Sequence, residues 1–119
     1  MSANLPAFPS DAPLRCEVVP ERDAVRVVPV GTLDLATAPT LEQRLAELRA
    51  AGFQSLIVDL GRLDFMDSTG LRLILRWDAA ARSDGFTLSV APGNPTVMRV
   101  FEVTGTSDLI PFGDGKARA

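Results

Sequence analysis

Between Ser55 and Gly61 the chain carries Leu56-Ile57-Val58-Asp59-Leu60, a run that is apolar and β-branched apart from its single Asp. A strand of that composition has no polar side to turn toward water, so it belongs in the middle of a sheet covered on both faces. Covering elements must come from the flanking sequence, and three helical segments are legible there. In the first, Thr37 can serve as N-cap and Pro39 falls in the first turn, where its missing N–H costs nothing. Leu41, Leu45 and Leu48 share one face of it, and Gly52 stops it. Asp67-Ser68-Thr69-Gly70 opens the second, with Leu71, Ile74 and Leu75 as its inner stripe, Asp78 and Arg82 as an outward i,i+4 pair, and Gly85 at its end. Asn94-Pro95 is a cap followed by proline at the first helical position, after which Val97, Val100 and Phe101 face inward until Gly105.

The remaining apolar positions alternate. Leu14, Cys16 and Val18 are separated by Arg15 and Glu17, Pro20-Glu21-Arg22-Asp23 makes a turn, and Val25, Val27 and Val30 mark a second strand. The pair forms an antiparallel hairpin. Pro29 removes a ladder donor, which places the end of the second strand at an edge or a bulge. Phe86, Leu88 and Val90 form another strand, and Leu109-Ile110 can add a short last one. The expected order is β-β-α-β-α-β-α with an optional terminal β. This is a single α/β domain whose mixed sheet starts with a hairpin and continues largely parallel. Its expected span is 14–112. Residues 1–13, with Pro6, Pro9 and Pro13, are expected to be a flexible leader and 113–119 a polar tail.

Composition narrows the chemistry. The 119 residues hold 12 basic and 15 acidic side chains, a net charge of −3, without the basic excess expected for nucleic-acid binding. With no His and a single Cys, the chain cannot supply a Ser-His-Asp triad, a phosphohistidine or an ordinary transition-metal site. Cys16 has no internal disulfide partner, which fits a reducing compartment. The N-terminus lacks the basic start and apolar stretch of a secretory signal, and no apolar run approaches the ~20 residues of a membrane span. A cytoplasmic protein is the expectation.

Asp67-Ser68-Thr69-Gly70 is the most informative stretch, because it follows the most buried strand at the end where open α/β sheets place their sites. Taken alone it fits a helix cap better than a site. The functional alternative makes Ser68 a phosphate acceptor: a phosphoserine brings roughly −1.5 to −2 charges, which a helix N-terminus tolerates and an opposing protein surface does not. Gly31-Thr32-Leu33-Asp34 is a second candidate, beside the Ser68 turn if their strands are neighbours. Asp34 there either holds its loop backbone, or contacts a partner or orients the acceptor hydroxyl. Asp59 fits a strand-end loop organiser, and Asp64 and Asp67 do not have the two-residue spacing of aspartate-dependent phosphatases. Trp77 is expected to be packing or a partly exposed anchor, Arg72 and Arg76 solvated, and Phe65 and Met66 against the core.

Several stretches together resemble one family. Gly31-Thr32-Leu33-Asp34-Leu35-Ala36-Thr37-Ala38, the Leu56–Leu60 strand, Leu63-Asp64-Phe65-Met66-Asp67-Ser68-Thr69-Gly70-Leu71 and Val100-Phe101-Glu102-Val103-Thr104-Gly105 stand in the order and spacing of the STAS domain, and within it of the bacterial anti-sigma factor antagonists. The resemblance implies a phosphorylation site at Ser68 and a partner-binding face of Asp34, Thr37, Asp67, Ser68, Thr69, Gly70 and Arg72, with no catalytic residue, no metal ligand and no cofactor. It implies two partners: an anti-sigma factor that is itself a GHKL-type serine kinase, and a metal-dependent serine phosphatase. Unphosphorylated antagonist binds the kinase and frees the sigma factor, and phosphorylated antagonist lets go. The kinase brings ATP, Mg²⁺ and the base, so the substrate domain need offer only a hydroxyl. The chain departs from the family at Thr32, often Glu, and at Arg72, in many members a small residue, and both departures bear on which kinase is accepted. The alternative is a non-switching STAS interaction or scaffold subunit, in a stress-signalling complex or beside a lipid transporter. A response-regulator receiver is rejected, because Lys116 in the tail is the only Lys and the chain opens with a hairpin.

Overall fold

The structure, a computed structural model, describes residues 14–113. The expected leader, 1–13, and all of the expected tail beyond Gly113 lie outside the described residues. Strand β1 (Leu14–Pro20) and β2 (Val25–Leu33) form the antiparallel hairpin, running in register from Leu14 opposite Gly31 to Pro20 opposite Val25. Helix α1 (Ala38–Ala50) follows, then β3 (Ser55–Asp59), a 3-10 turn at Leu60–Arg62, β4 (Leu63–Met66), α2 (Ser68–Asp84), β5 (Thr87–Ala91) and α3 (Pro95–Thr104). The sheet order is β1-β2-β3-β5, with β4 paired to β2.

The expected α/β class and mixed sheet are what the chain adopts, with one strand more than the sequence pattern shows. Strand β2 is long enough for two parallel partners in succession: β3 lies along Val25–Val27 and β4 along Gly31–Leu33. Pro29 is therefore not at a sheet edge. It is buried, opposite Cys16 of β1, in the stretch of β2 that belongs to neither parallel ladder. The bulge that its presence suggested occurs two residues on. As β2 steps from Gly31 to Thr32, β4 steps from Leu63 to Phe65, so Asp64 is the extra residue. Gly31 has φ 122°, a conformation open to glycine and strained for other residues.

Leu56, Ile57 and Val58 are all buried, so β3 is covered on both faces as its composition requires. The core is one continuous cluster, with Leu41 and Leu45 of α1, Leu73 and Ile74 of α2, and Val97 and Phe101 of α3 closing on the strands. Glycines 85 and 105 end α2 and α3 at φ 82° and 72°, where the sequence places their stops. The expected terminal strand is instead a 3-10 turn at Ser107–Leu109, after which Ile110 enters the core and Phe112 makes a lone parallel bridge to Val90.

Polar groups pin the layers. Arg26 on β2 bonds Glu21 at 2.6 Å and Asp59 at 2.8 Å, which raises its already high pKa against the opposing effect of burial. Asp59 also accepts from Gly61 N at 2.8 Å, the loop-organising part expected of it. Burial pushes the free Cys16 thiol up, with Arg44 of α1 pulling the other way. Asp78 does pair with Arg82, yet not on an outward face: the Asp is buried, and only the arginine end reaches solvent. Arg76 is exposed, as expected, and also spans from α2 to Glu42 of α1 at 2.8 Å. No helix among the described residues is long and apolar enough to cross a membrane.

Candidate functional site

The β2–β4 pairing brings the two sequence candidates together. Leu33 lies opposite Met66, and Asp67 N donates to Leu33 O at 3.2 Å, so the end of β2 and the start of α2 share one edge of the molecule. Asp67 is the N-cap, in extended conformation, and its Oδ1 accepts from Thr69 N at 2.8 Å. That cap leaves Ser68 as the first residue of α2, exposed, with its hydroxyl outward. Arg72, one turn on and also exposed, places Nη1 at 3.3 Å from Ser68 Oγ.

Gly70 explains itself by what surrounds it. A Cβ there would stand 2.5 Å from Met66 Cγ and 2.8 Å from Leu33 Cδ2, so the first turn of α2 can lie against the ends of β2 and β4 only without a side chain. Gly70 is buried, and its part in the face is to set how deep the turn sits.

The loop after β2 is held from within. Asp34 Oδ1 accepts from Ala36 N at 3.0 Å and Thr37 N at 3.1 Å, closing an Asx turn. Thr37 occupies the N-cap position of α1, but its side chain makes no cap bond. Its hydroxyl instead donates to Thr32 O at 2.8 Å and accepts from Asp34 N at 2.9 Å, and the residue is buried. Turned inward, that hydroxyl fastens the loop to β2 rather than the helix to its cap.

Two residues at this edge are not among the expected partner-binding residues. Leu35, 75% exposed, and Phe65, 45% exposed, each lie two residues from the Leu33–Asp67 hydrogen bond, in opposite chain directions. Phe65 was expected against the core beside Met66. The bulge at Asp64 turns Phe65 outward while Met66 goes in. The signal for Leu35 was its place between Asp34 and Ala36, outside every apolar stripe. The edge thus carries an exposed hydroxyl, a guanidinium and two exposed apolar side chains, an arrangement suited to meeting another protein surface. No group of three or more His, Cys, Asp or Glu side chains positioned to hold a metal ion occurs among the described residues.

A separate open groove of about 570 Å³ runs between α1 and α2, lined by Glu42, Arg49, Arg76, Trp77 and Phe86 among others. Trp77 meets Phe86 edge-on at 6.2 Å and Arg49 stacks over Phe86 at 4.2 Å, so Trp77 is half-buried packing there. None of the groove's lining residues belongs to the Ser68 edge.

A family model described as "Mlab, STAS domain" matches residues 16–111. The anti-sigma-B factor antagonist of Staphylococcus epidermidis is 31% identical over 102 residues, spanning 86% of this chain and 94% of that protein. Among solved structures, an anti-sigma factor antagonist from Mycobacterium paratuberculosis matches with a TM-score of 0.69 at 25% identity, over 83% of this chain and 84% of that one. The unphosphorylated form of the anti-sigma factor antagonist SpoIIAA gives a TM-score of 0.66 at 23% identity, over 87% and 90% of the two chains, a likeness of fold. Each of the three is named for antagonism of an anti-sigma factor.

Proposed function

The chain belongs to the STAS domain family, and from that premise we propose that it is a cytoplasmic anti-sigma factor antagonist that works by partner switching. Unphosphorylated, it binds an anti-sigma factor that is a GHKL-type serine kinase and so releases the sigma factor. The kinase then transfers a phosphoryl group to Ser68. Ser68 Oγ bonds the γ-phosphorus of ATP, the bond to ADP breaks, and the hydroxyl proton passes to a base on the kinase. The modified antagonist dissociates, and a metal-dependent serine phosphatase restores it by hydrolysis.

The observation that carries this reading is the exposed Ser68 hydroxyl at the first position of α2, next to the exposed Leu35 and Phe65. Each residue of the face has a part. Leu35, Phe65, Thr69 and Arg72 offer surface to the kinase, while Asp34, Thr37, Asp67 and Gly70 hold that surface in shape. The magnitudes favour a switch in binding over one in folding. Roughly −1.5 to −2 charges at a helix N-terminus are tolerated there, whereas like charges pressed together across an interface cost several kcal/mol, on the order of a thousandfold in affinity.

A constitutive docking subunit is the second reading, favoured by a family description that names a Mlab STAS domain rather than an antagonist. One experiment separates the two. The purified protein is mixed with the partner kinase and ATP, and phosphate is located by mass spectrometry while binding is measured. Partner switching expects phosphate on Ser68, Ser68→Ala that binds but stays unmodified, and Ser68→Asp that binds poorly. Equal phosphate uptake by Ser68→Ala would remove the assignment, and full binding by Ser68→Asp would favour the constitutive subunit.

A further inference from the structure

We propose that Arg72 is the internal counter-ion of a phosphoryl group on Ser68, holding the modified side chain against α2 through a charge-assisted hydrogen bond. The inference rests on Ser68 being the modified residue, as proposed above, and concerns what the domain does with the phosphate once it is there.

Six arginines of the described chain, Arg15, Arg26, Arg44, Arg62, Arg76 and Arg82, pair with carboxylates. Arg72 does not: among the described residues its guanidinium has no carboxylate at ion-pair distance and rests instead on Ser68 Oγ at 3.3 Å. A neutral hydroxyl at that distance is a weak acceptor, at the long end of hydrogen bonding. Nothing in the unmodified protein makes this a strong contact. A phosphoryl group changes the partner and not the geometry. Three acceptor oxygens on a slightly longer arm would face a planar fork of donors already in place. The acidic partner would also precede the basic one by four residues, the orientation that favours an ion pair on a helix.

The other charges at this edge oppose the phosphate. Asp67 and Asp34 are carboxylates, both accepting from backbone N–H groups, and both hold the phosphate's last proton more tightly. The free N–H groups of α2 act the other way. All of these are common to wild type and to variants at position 72, so a difference between such proteins isolates the guanidinium. The device would let the domain hold its phosphate in one place, so that a phosphatase must displace an arginine before it can take the group.

The test uses the full chain with phosphoserine installed at position 68 during synthesis, without any kinase. The phosphate is titrated by ³¹P NMR in the wild type, in Arg72→Ala and in Arg72→Lys. The wild-type phosphate should lose its second proton about 0.5 pH lower than in Arg72→Ala, with the difference shrinking in about 1 M NaCl as an exposed pair requires. Arg72→Lys should retain part of the difference, since the charge remains and the fork is lost. Superimposable curves for wild type and Arg72→Ala would overturn the proposal. That failure would leave the identity of the phosphorylated residue untouched. Conversely, a kinase that ignores Ser68 would defeat the partner-switching reading without altering these curves.

Discussion

Two helices of this domain begin in nearly the same way, and only one of those beginnings has the makings of a switch. Both α2 and α3 follow a strand of the sheet, and both are capped by an Asx side chain in extended conformation. Asp67 accepts from Thr69 N at 2.8 Å, and Asn94 accepts from Val97 N at 2.9 Å. Both turns hold a glycine where a Cβ would collide, Gly70 against Met66 and Leu33, Gly93 against Leu60 O. They part at the next residue. The first position of α2 is Ser68, with an exposed hydroxyl that accepts from Arg72, whereas the first position of α3 is Pro95, with neither hydroxyl nor N–H. The exposed Leu35 and Phe65 adjoin the α2 turn. Asn94 is instead tied down through its amide, which donates to Leu63 O at 3.1 Å. A capped helix start is therefore not a functional feature in itself. What adds function is an acceptor at the first position and unsatisfied apolar surface around it.

The comparison breaks, or holds, most visibly when the same charge is placed at both starts. Ser68→Asp and Pro95→Asp each put a carboxylate at the first position of a helix, where the dipole favours it by about 0.3–1 kcal/mol, so both proteins should stay folded. Only Ser68→Asp should lose affinity for the anti-sigma kinase, by about a thousandfold, because only there does the charge meet an opposing surface. Calorimetric titration of the two variants checks this. Equal losses would mean that the kinase also covers the α3 start.

The α3 start was wholly visible in the sequence and the α2 start only half so, for a physical reason. Asn94-Pro95, Gly85 and Gly105 act through local backbone geometry, and local geometry is what residue order encodes. The central position of β3 was legible too, since three consecutive buried apolar residues admit no other placement. Strand β4 was not, because the bulge at Asp64 breaks its two-residue alternation, and with it went the outward direction of Phe65. Thr37 has the residue type of an N-cap, yet its hydroxyl is claimed by Thr32 O, a bond that exists only once β2 and the loop are folded together. Asp78 looked outward for a similar reason, since helical spacing cannot show that it is covered, nor that the exposed Arg76 has Glu42 across from it. In each case a long-range contact decided what local pattern left open.

The glycines give the next largest effect. Gly93→Ala drives its Cβ to 2.7 Å from Leu60 O, a backbone atom that cannot swing aside, and should cost about 2–3 kcal/mol of stability. At Gly70 the obstructing atoms belong to the side chains of Met66 and Leu33, which can partly repack, so Gly70→Ala should cost about 1–2 kcal/mol. Urea denaturation gives both values. Kinase affinity should rank them in the opposite order, since repacking Met66 and Leu33 moves the Ser68 turn and a shift at Gly93 does not. A Gly70→Ala protein with wild-type affinity would show that the kinase tolerates a displaced turn.

The caps themselves differ least, and in a way that tests whether their chemistry is interchangeable. Asp67→Ala removes one acceptor, worth about 1 kcal/mol. Asn94→Ala removes an acceptor and a donor together, freeing Val97 N and Leu63 O, so its cost should be larger, about 1.5–2 kcal/mol. The isosteric exchanges separate these parts. Asn94→Asp keeps the cap and loses the donor, setting a carboxylate oxygen against the carbonyl of Leu63, and thermal denaturation should find it less stable than wild type. Asp67→Asn keeps the cap and loses only the favourable charge at the start of α2, and should be destabilised by a few tenths of a kcal/mol. An Asn94→Asp protein more stable than wild type, through the charge gained at the start of α3, would mean that the Asn94–Leu63 bond contributes nothing. The two helix starts would then differ only in the residue that follows the cap.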